Sequence, residues 1–392
     1  MVPKGWKKGL VSDLADTVMG YAFKSSDFVK EGVPLVRMGN LYQNQFQLDR
    51  SPIYLPDDFA TEYKRFLLQS GDLVMSMTGT MGKRDYGFAV EIPENTQDCL
   101  LNQRVLKIEP RNTEAKGFVL NLLKSEVFLS RLYSLPGGTK QANLSATQIR
   151  EISVLIPPLL EQQKIAKILS TWDKAISTTE RLIDNSTQQK KALMQQLLTG
   201  KKRLLDESGK RFEGEWEELK LENVFKLSSG DTKPKDVENE PTEEQKIPVF
   251  GGNNIMGYSA SSNSEGDVIL IGRVGEYCGV TRLIQEKCWI TDNALFTKDF
   301  SDEFDRLFIV YLLQNFQLSR LRNKGGQPQI SQKPIYTLKL KIPLLREQQK
   351  IATVLTNADK EIELLKQQLA NLQQEKKALM QVLLTGKKRV AV

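Results

Sequence analysis

From Glu347 onward the apolar residues step four, three, four, three along the chain: Ile351, Leu355, Ala358, Ile362, Leu365, Leu369 and Leu372. The stripe passes over Lys376 and resumes at Leu379 and Leu383. A seam of this period predicts one long amphipathic helix whose stripe is buried against another helix. The same pattern stands about 186 residues earlier, in Ile165, Leu169, Trp172, Ile176, Ile183, Leu193 and Leu197. There Thr179, Ser186 and Lys190 interrupt it, so this copy is the weaker seam and its natural partner is the stronger one in the same chain. Each helix starts after a proline, Pro157-Pro158 or Pro343, and stops at a glycine, Gly200 or Gly386, the order expected of helix boundaries. The two copies, Glu161 to Arg203 and Glu347 to Arg389, agree at roughly 25 of 43 positions without a gap, at a spacing too long for a solenoid. The molecule is therefore a duplicated half.

Between the helices the period shortens to that of strands. Val33–Val36 running into Arg37-Met38-Gly39-Asn40 corresponds to Ile247–Phe250 running into Gly251-Gly252-Asn253-Asn254. Gly71–Met75 corresponds to Gly266–Leu270, and Cys99–Val105 to Cys288–Ala294. A helical stretch follows in each (Phe118, Leu122, Leu123, Phe128; Leu307, Val310, Leu313, Phe316), then a glycine pair, Gly137-Gly138 or Gly325-Gly326. The expected fold class is α+β: two similar mixed lobes, residues 1–157 and 207–343, alternating with helical segments 158–206 and 344–392. About 24 extra residues in the first lobe fall mostly between Asn40 and Gly71. With lobe termini close together, the second helix runs back along the first as an antiparallel intramolecular coiled coil of roughly 60 Å, giving approximate two-fold symmetry.

Composition narrows the chemistry. The chain has no histidine, which excludes Ser-His-Asp, Cys-His and HExxH catalysis and removes the commonest zinc ligand. Three cysteines, Cys99, Cys278 and Cys288, show no metal-ligand spacing and fit a reducing compartment. No apolar run approaches a membrane span and the N-terminus lacks the apolar stretch of a signal peptide, so a cytoplasmic protein is expected. A net charge of +7 and a pI near 9.0 point weakly to a polyanionic partner.

Catalytic signatures are imitations. Gly79-Thr80-Met81-Gly82-Lys83 has two residues between its glycines where a phosphate-binding loop needs four. Pro56-Asp57 and Glu62-Tyr63-Lys64 mimic nuclease elements but stand too close together to come from two strands. What remains are polar, glycine-flanked turns bearing side chains that can bond base edges or phosphates. In the first lobe these are Arg37, Asn40, Lys83, Arg84, Asn102, Gln103, Arg104, Lys140 and Gln141. In the second they are Asn253, Asn254, Arg273, Asn293, Lys324, Gln327 and Gln329. For any one of them a capped surface turn is an equally ordinary role. Lys201-Lys202-Arg203 and Lys387-Lys388-Arg389 could touch phosphates or simply complement helix C-termini. No catalytic residue and no metal site is assigned.

Two variable α+β lobes alternating with near-identical helices resemble the specificity subunit of type I restriction-modification enzymes. The residues carrying the likeness are EQQKIA, KKALMQ and LLTGKKR in both copies, the entries IPPLLEQQ and IPLLREQQ, and Trp289–Leu295. The resemblance covers essentially the whole chain and implies a non-catalytic DNA-binding subunit. In that family each lobe reads one half of a split, asymmetric target in double-stranded DNA. The helices set the gap and dock two modification subunits, which bind S-adenosylmethionine. Cleavage and translocation, with ATP and magnesium, belong to separate restriction subunits, and no cofactor is expected on this chain. Base-reading residues differ between specificities, so none transfers by identity. The competing reading is a non-enzymatic coiled-coil scaffold with two protein-binding lobes, which needs the helices but no basic faces. A self-contained restriction-methylation enzyme would need motifs that are absent.

Overall fold

In the computed structural model, residues 2–135, 140–323 and 325–391 are described. Gly137 and Gly138, and the candidate Lys324, lie outside them. The chain divides into two compact units, residues 1–180 with 368–392, and residues 181–367.

The first unit contains strands β1 (Lys7–Leu10), β2 (Ala15–Met19), β3 (Val33–Val36), β4 (Tyr54–Leu55), β5 (Leu67–Leu68) and β6 (Leu73–Ser76). It continues with β7 (Thr78–Thr80), β8 (Ala89–Glu91), β9 (Cys99–Leu101), β10 (Val105–Pro110), β11 (Gln141–Asn143) and β12 (Ser153–Ile156). Its helices are α1 (Phe59–Glu62), α2 (Lys116–Lys124), α3 (Glu126–Tyr133), α4 (Ala146–Arg150) and the first half of α5 (Leu159–Leu197). Strands β2-β10-β6-β8 form an antiparallel sheet; β4-β3-β9-β5 form a mixed one in which β3 and β9 are parallel. The period of two along a strand decides the layering. Leu73 and Met75 of β6 face one way, onto Phe118, Leu122 and Phe128 of the helices, while Val74 faces the other way, onto Val36, Leu68 and Leu101 of the mixed sheet.

The second unit repeats the plan with β13 (Glu217–Lys220), β14 (Phe225–Ser229), β15 (Ile247–Phe250), β16 (Ile255–Ser259) and β17 (Val268–Gly272). Then come β18 (Thr281–Ile284), β19 (Trp289–Ile290), β20 (Ala294–Phe300), α6 (Arg306–Phe316), α7 (Gln332–Tyr336), β21 (Lys339–Ile342) and the opening of α8 (Leu345–Leu383). The antiparallel sheet is β14-β20-β17-β18, and β15 runs parallel to β19 as β3 does to β9. Again Ile269 and Ile271 face Phe308 and Ile309, while Leu270 faces Phe250 and Ile290. The strand correspondences expected from the sequence are all realised. The additional segment of the first lobe holds β4, α1 and β5, where the second lobe has β16 alone.

Both long helices extend over the expected residues and lie antiparallel, as each unit shows separately. In the first, Lys376 Nζ donates to Asp173 at 2.5 Å and Arg389 Nε to Glu161 at 2.9 Å. In the second, Lys190 Nζ donates to Asp359 at 2.5 Å and Arg203 clasps Glu347 through Nε at 2.6 Å and Nη2 at 2.7 Å. Every expected seam residue is buried or half-buried. The seam is more than a helix-to-helix contact, however. Ile165, Leu169 and Leu383 belong to the core of the first lobe, and Leu197, Ile351 and Leu355 to that of the second. Lys190 and Lys376 interrupt the stripe because each neutralises an aspartate of the facing helix.

Arg203 and Arg389, weighed above as phosphate contacts, are instead consumed by these glutamates. The Glu347 side chain is only 2% exposed, so removing its partner leaves a charge uncovered. Arg203→Ala should destabilise the second unit by about 3 kcal/mol in urea unfolding, and Arg203→Met combined with Glu347→Leu should recover much of it. Hydrogen bonds from Arg389, reinforced by one from Trp6, hold the Glu161 carboxyl below its ordinary value of 4.5 against the opposing effect of burial. A lowered folded-state value means a contribution that is complete above pH 4.5 and lost as pH falls through that lowered value. Acid titration of stability should show this component in the native chain and not in Arg389→Ala.

Candidate nucleic-acid interface

In each lobe the turns at one end of the two sheets are tied together by backbone bonds. In the first lobe Tyr21 N–H donates to Leu101 O at 2.9 Å, Gln103 N–H to Tyr21 O at 3.0 Å, and Asn102 N–H to Val36 O at 3.1 Å. Met77 N–H reaches Arg104 O at 3.0 Å and Leu144 N–H reaches Met77 O at 3.1 Å. The second lobe repeats each bond: Asp231 to Ile290 at 3.0 Å, Asp292 to Asp231 at 2.9 Å, Thr291 to Phe250 at 3.0 Å, Arg273 to Asn293 at 2.9 Å and Ile330 to Arg273 at 2.9 Å. Two polar faces of matched backbone result. Gly20 and Gly230 are required by this arrangement, since a Cβ on either would run into the carbonyl of Asn102 or Thr291.

On the first face Lys83, Arg84, Gln103, Arg104, Lys140 and Gln141 are exposed, and Asn102 is half-buried. β7 pairs with β11, which sets Thr80 opposite Gln141 and brings the Lys83 turn beside Lys140. Arg104 Nη1 donates to Asn143 Oδ1 at 3.1 Å and keeps its remaining donors outward. Arg84 is engaged with Glu126 at 2.7 Å and lies over the Tyr133 ring. Burial pulls the Asp85 carboxyl up, but hydrogen bonds from Thr80, with Lys83 nearby, together hold it below its ordinary value and so pin the turn. The turn leads from β7 to β8 and not into a helix, unlike a phosphate-binding loop.

Asn40 proves to be a holding residue. It is 2% exposed, its Oδ1 accepts from Arg37 N–H at 2.9 Å, and its Nδ2 donates to Gln47 O at 2.7 Å and Arg50 O at 3.1 Å. Both amide hydrogens are committed and neither can meet a base. Arg37, half-buried, spends Nη2 on Ser51 O at 2.7 Å.

On the second face Asn254, Gln327 and Gln329 are exposed, while Asn253, Arg273 and Asn293 are half-buried. Arg273 Nη1 donates to Ser229 Oγ at 3.0 Å, and its buried Nε has no partner among the described residues. Arg282, absent from the sequence-based candidates, donates to Asn253 Oδ1 at 2.5 Å, and burial pulls its guanidinium value down. Arg320, Arg322 and Asn323, also not anticipated, line an open cleft of about 720 Å³ beside Pro328. Their signal was weak because the SRLRN run reads as the end of a helix. The three cysteines are buried, and burial pushes Cys99 up to about 12 and Cys288 up to about 11, which leaves them inert thiols. No group of metal-ligating residues occurs among the described residues, and no helix there is long and apolar enough to cross a membrane.

Two lobes of one fold, each presenting a polar face built on the same backbone, define a recognition protein made by duplication. Residues 3–185 and 213–374 match the family described as the type I restriction modification DNA specificity domain. The putative type I restriction enzyme MjaX specificity subunit of Methanocaldococcus jannaschii is 24% identical over 99% of this chain and 95% of its own length. The EcoKI specificity subunit of Escherichia coli is 23% identical over 89% of this chain and 81% of its own. The crystal structure of a type I restriction-modification S subunit from M. genitalium superposes with a TM-score of 0.65 at 18% identity, covering 98% of this chain and 96% of that one. The chain belongs to the type I restriction-modification specificity subunit family, whose members are the non-catalytic subunits that recognise the target sequence.

Gly230→Ala should force Thr291 away from β14 and cost about 1–3 kcal/mol. Hydrogen exchange should then rise at the Asp231, Thr291 and Asp292 amides and stay unchanged at Tyr21 and Asn102.

Proposed function

We propose that the chain reads a bipartite duplex DNA target, one half-site per lobe, through the two polar faces, with α5 and α8 setting the gap between the halves. The observation that carries this reading is the pairing of one backbone frame with two different sets of side chains. Met77 stands where the second lobe has Arg273, Arg104 where it has Asn293, Gln103 where it has Asp292, and Tyr21 where it has Asp231. A symmetric frame with unlike side chains suits an asymmetric split sequence. Arg favours guanine, and Asn and Gln favour adenine. Joining two weak readers in one chain raises the effective concentration of the second contact and makes spacing part of what is recognised.

The paired helices, alike in both copies, are the surface on which two modification subunits dock, and restriction subunits join through them. S-adenosylmethionine is held by the former, ATP and magnesium by the latter, and none by this chain. The whole acts on cytoplasmic DNA.

Inserting one heptad in each long helix should lengthen the gap in the methylated motif, while exchanging one lobe should alter one half-site alone. Methylome sequencing of cells that also make the partner subunits reads both, and an unchanged motif in the two variants counts against the proposal. Arg104→Ala should weaken binding to the preferred sequence by about 1–3 kcal/mol while sparing other sequences. Equal losses on all duplexes at fixed salt would make it a phosphate contact.

A further inference from the structure

We infer that the loop from Leu41 to Ser51 is the principal base-reading element of the first lobe, with Gln43 and Gln45 directed to adenine; this rests on the bipartite reading above. Of its side chains, Tyr42, Gln43, Asn44, Gln45, Gln47 and Arg50 are exposed. An exposed polar loop is ordinary, but this one is held in an unfavourable shape. Gln43 (φ 54°, ψ 36°) and Asn44 (φ 59°) are consecutive non-glycine residues in the left-handed region, and Ser51 (φ 52°) joins them at the far end. Such conformations cost of order 1–3 kcal/mol each and persist only where the surroundings impose them, most often at functional sites.

The surroundings do impose them. Leu41 is fully buried, the Asn40 amide holds the carbonyls of Gln47 and Arg50, and Arg37 holds that of Ser51. Asn44 Oδ1 accepts from Ala89 N–H at 2.9 Å. Tyr42 lies edge-on to Phe88 at 5.6 Å and under the Arg50 guanidinium at 4.5 Å. The backbone is therefore rigid while the amides stay outside. Gln45 Oε1 is steadied by Gln47 Nε2 at 3.1 Å, and the Gln43 side chain has no hydrogen bond among the described residues. A carboxamide fixed by its backbone and open at its tip can pair bidentately with adenine N6 and N7 at low ordering cost. The loop begins at the end of β3 and rests on Ala89 at the start of β8, so it stands at the strand ends that carry Arg104 and Gln103. The second lobe has no counterpart, its β15 and β16 being joined by the short turn at Gly251–Asn254.

The test is an equilibrium competition with the full chain, in complex with its modification subunits, at one fixed salt concentration. The competitors are duplexes carrying each single base-pair change in both half-sites. Gln43→Ala and Gln45→Ala should each weaken binding to the preferred duplex roughly 5- to 150-fold and abolish discrimination at one A·T pair of one half-site, the other half-site being read as before. Gln45→Glu should shift preference at its position toward cytosine, a gain that a misfolded loop could not produce. Undiminished discrimination at every position, or an equal loss on all duplexes, would overturn the assignment. A native complex with no sequence preference at all would overturn the bipartite reading itself, and the loop's role with it.

Discussion

Each unit closes around one buried glutamate. Glu161 and Glu347 stand in the first turn of a long helix, where a carboxylate favours the helix dipole, yet both are almost wholly removed from water. A carboxylate in that position needs a cation, and the cation comes from just beyond the end of the facing helix: Arg389 for Glu161, Arg203 for Glu347. The arginine reaches it because Gly386 or Gly200, with φ of 67° and 70°, turns the chain out of the helix through the left-handed region. The same guanidinium covers the tryptophan that opens the lobe, Trp6 or Trp216. One ion pair thereby fixes three things at once: where a helix begins, where its partner ends, and where the lobe's first strand enters.

The neighbouring residues serve the same junction. Gln162 and Gln348 each donate from Nε2 to the carbonyl of the proline five residues back, at 2.8 Å in both units. Beyond that bond the two amides differ: Gln348 Oε1 accepts from Asp305 N–H at 2.8 Å, whereas Gln162 Oε1 is buried without a partner among the described residues. The halves are not identical even here. Trp6 Nε1 donates to Glu161 at 3.0 Å, whereas Trp216 Nε1 is buried without a partner among the described residues. Arg203 and Arg389 each bind their glutamate through Nε and Nη2, so the asymmetry lies in the tryptophan donor alone. Further along, the aspartate–lysine pairs act as register marks. A slip of the helices by one turn would strand Lys190 and Lys376 in an apolar stripe.

The helices and the duplication were legible because heptad periodicity and an internal repeat need no tertiary context. The strand order of each lobe was legible by comparing its two versions, which shared apolar runs at matching places. The site was less so. Asn40 looked like a reader because its chemistry is that of a reader; only its burial shows that its amide is spent on Gln47 and Arg50. Arg203 and Arg389 were ambiguous for the same reason, since a basic run after a helix has the same appearance whether it is solvated or clasped by a glutamate. The run Tyr42–Gln47 carries no repeat signal, because this loop has no twin in the second lobe. Its amide-rich composition was the available signal.

The frame of the faces explains how such a protein can change what it reads without losing its fold. The bonds that join the turns run from main chain to main chain, so they are indifferent to the side chains they carry. Met77 and Arg273 make the same two backbone bonds, one with its side chain in the core and the other with a half-buried side chain that donates to Ser229 Oγ. Arg104 and Asn293 accept the same N–H, and Asn102 and Thr291 donate the same one. Where a side chain does enter the frame, as with Asn40, it is buried and its loop is long; the short turn at Gly251–Asn254 closes through the main chain, Gly251 N–H donating to Asn254 O at 3.0 Å. Specificity can therefore diverge at exposed positions at little cost in stability, while the glycines beside the Asn102 and Thr291 carbonyls and the two buried glutamates cannot change alone.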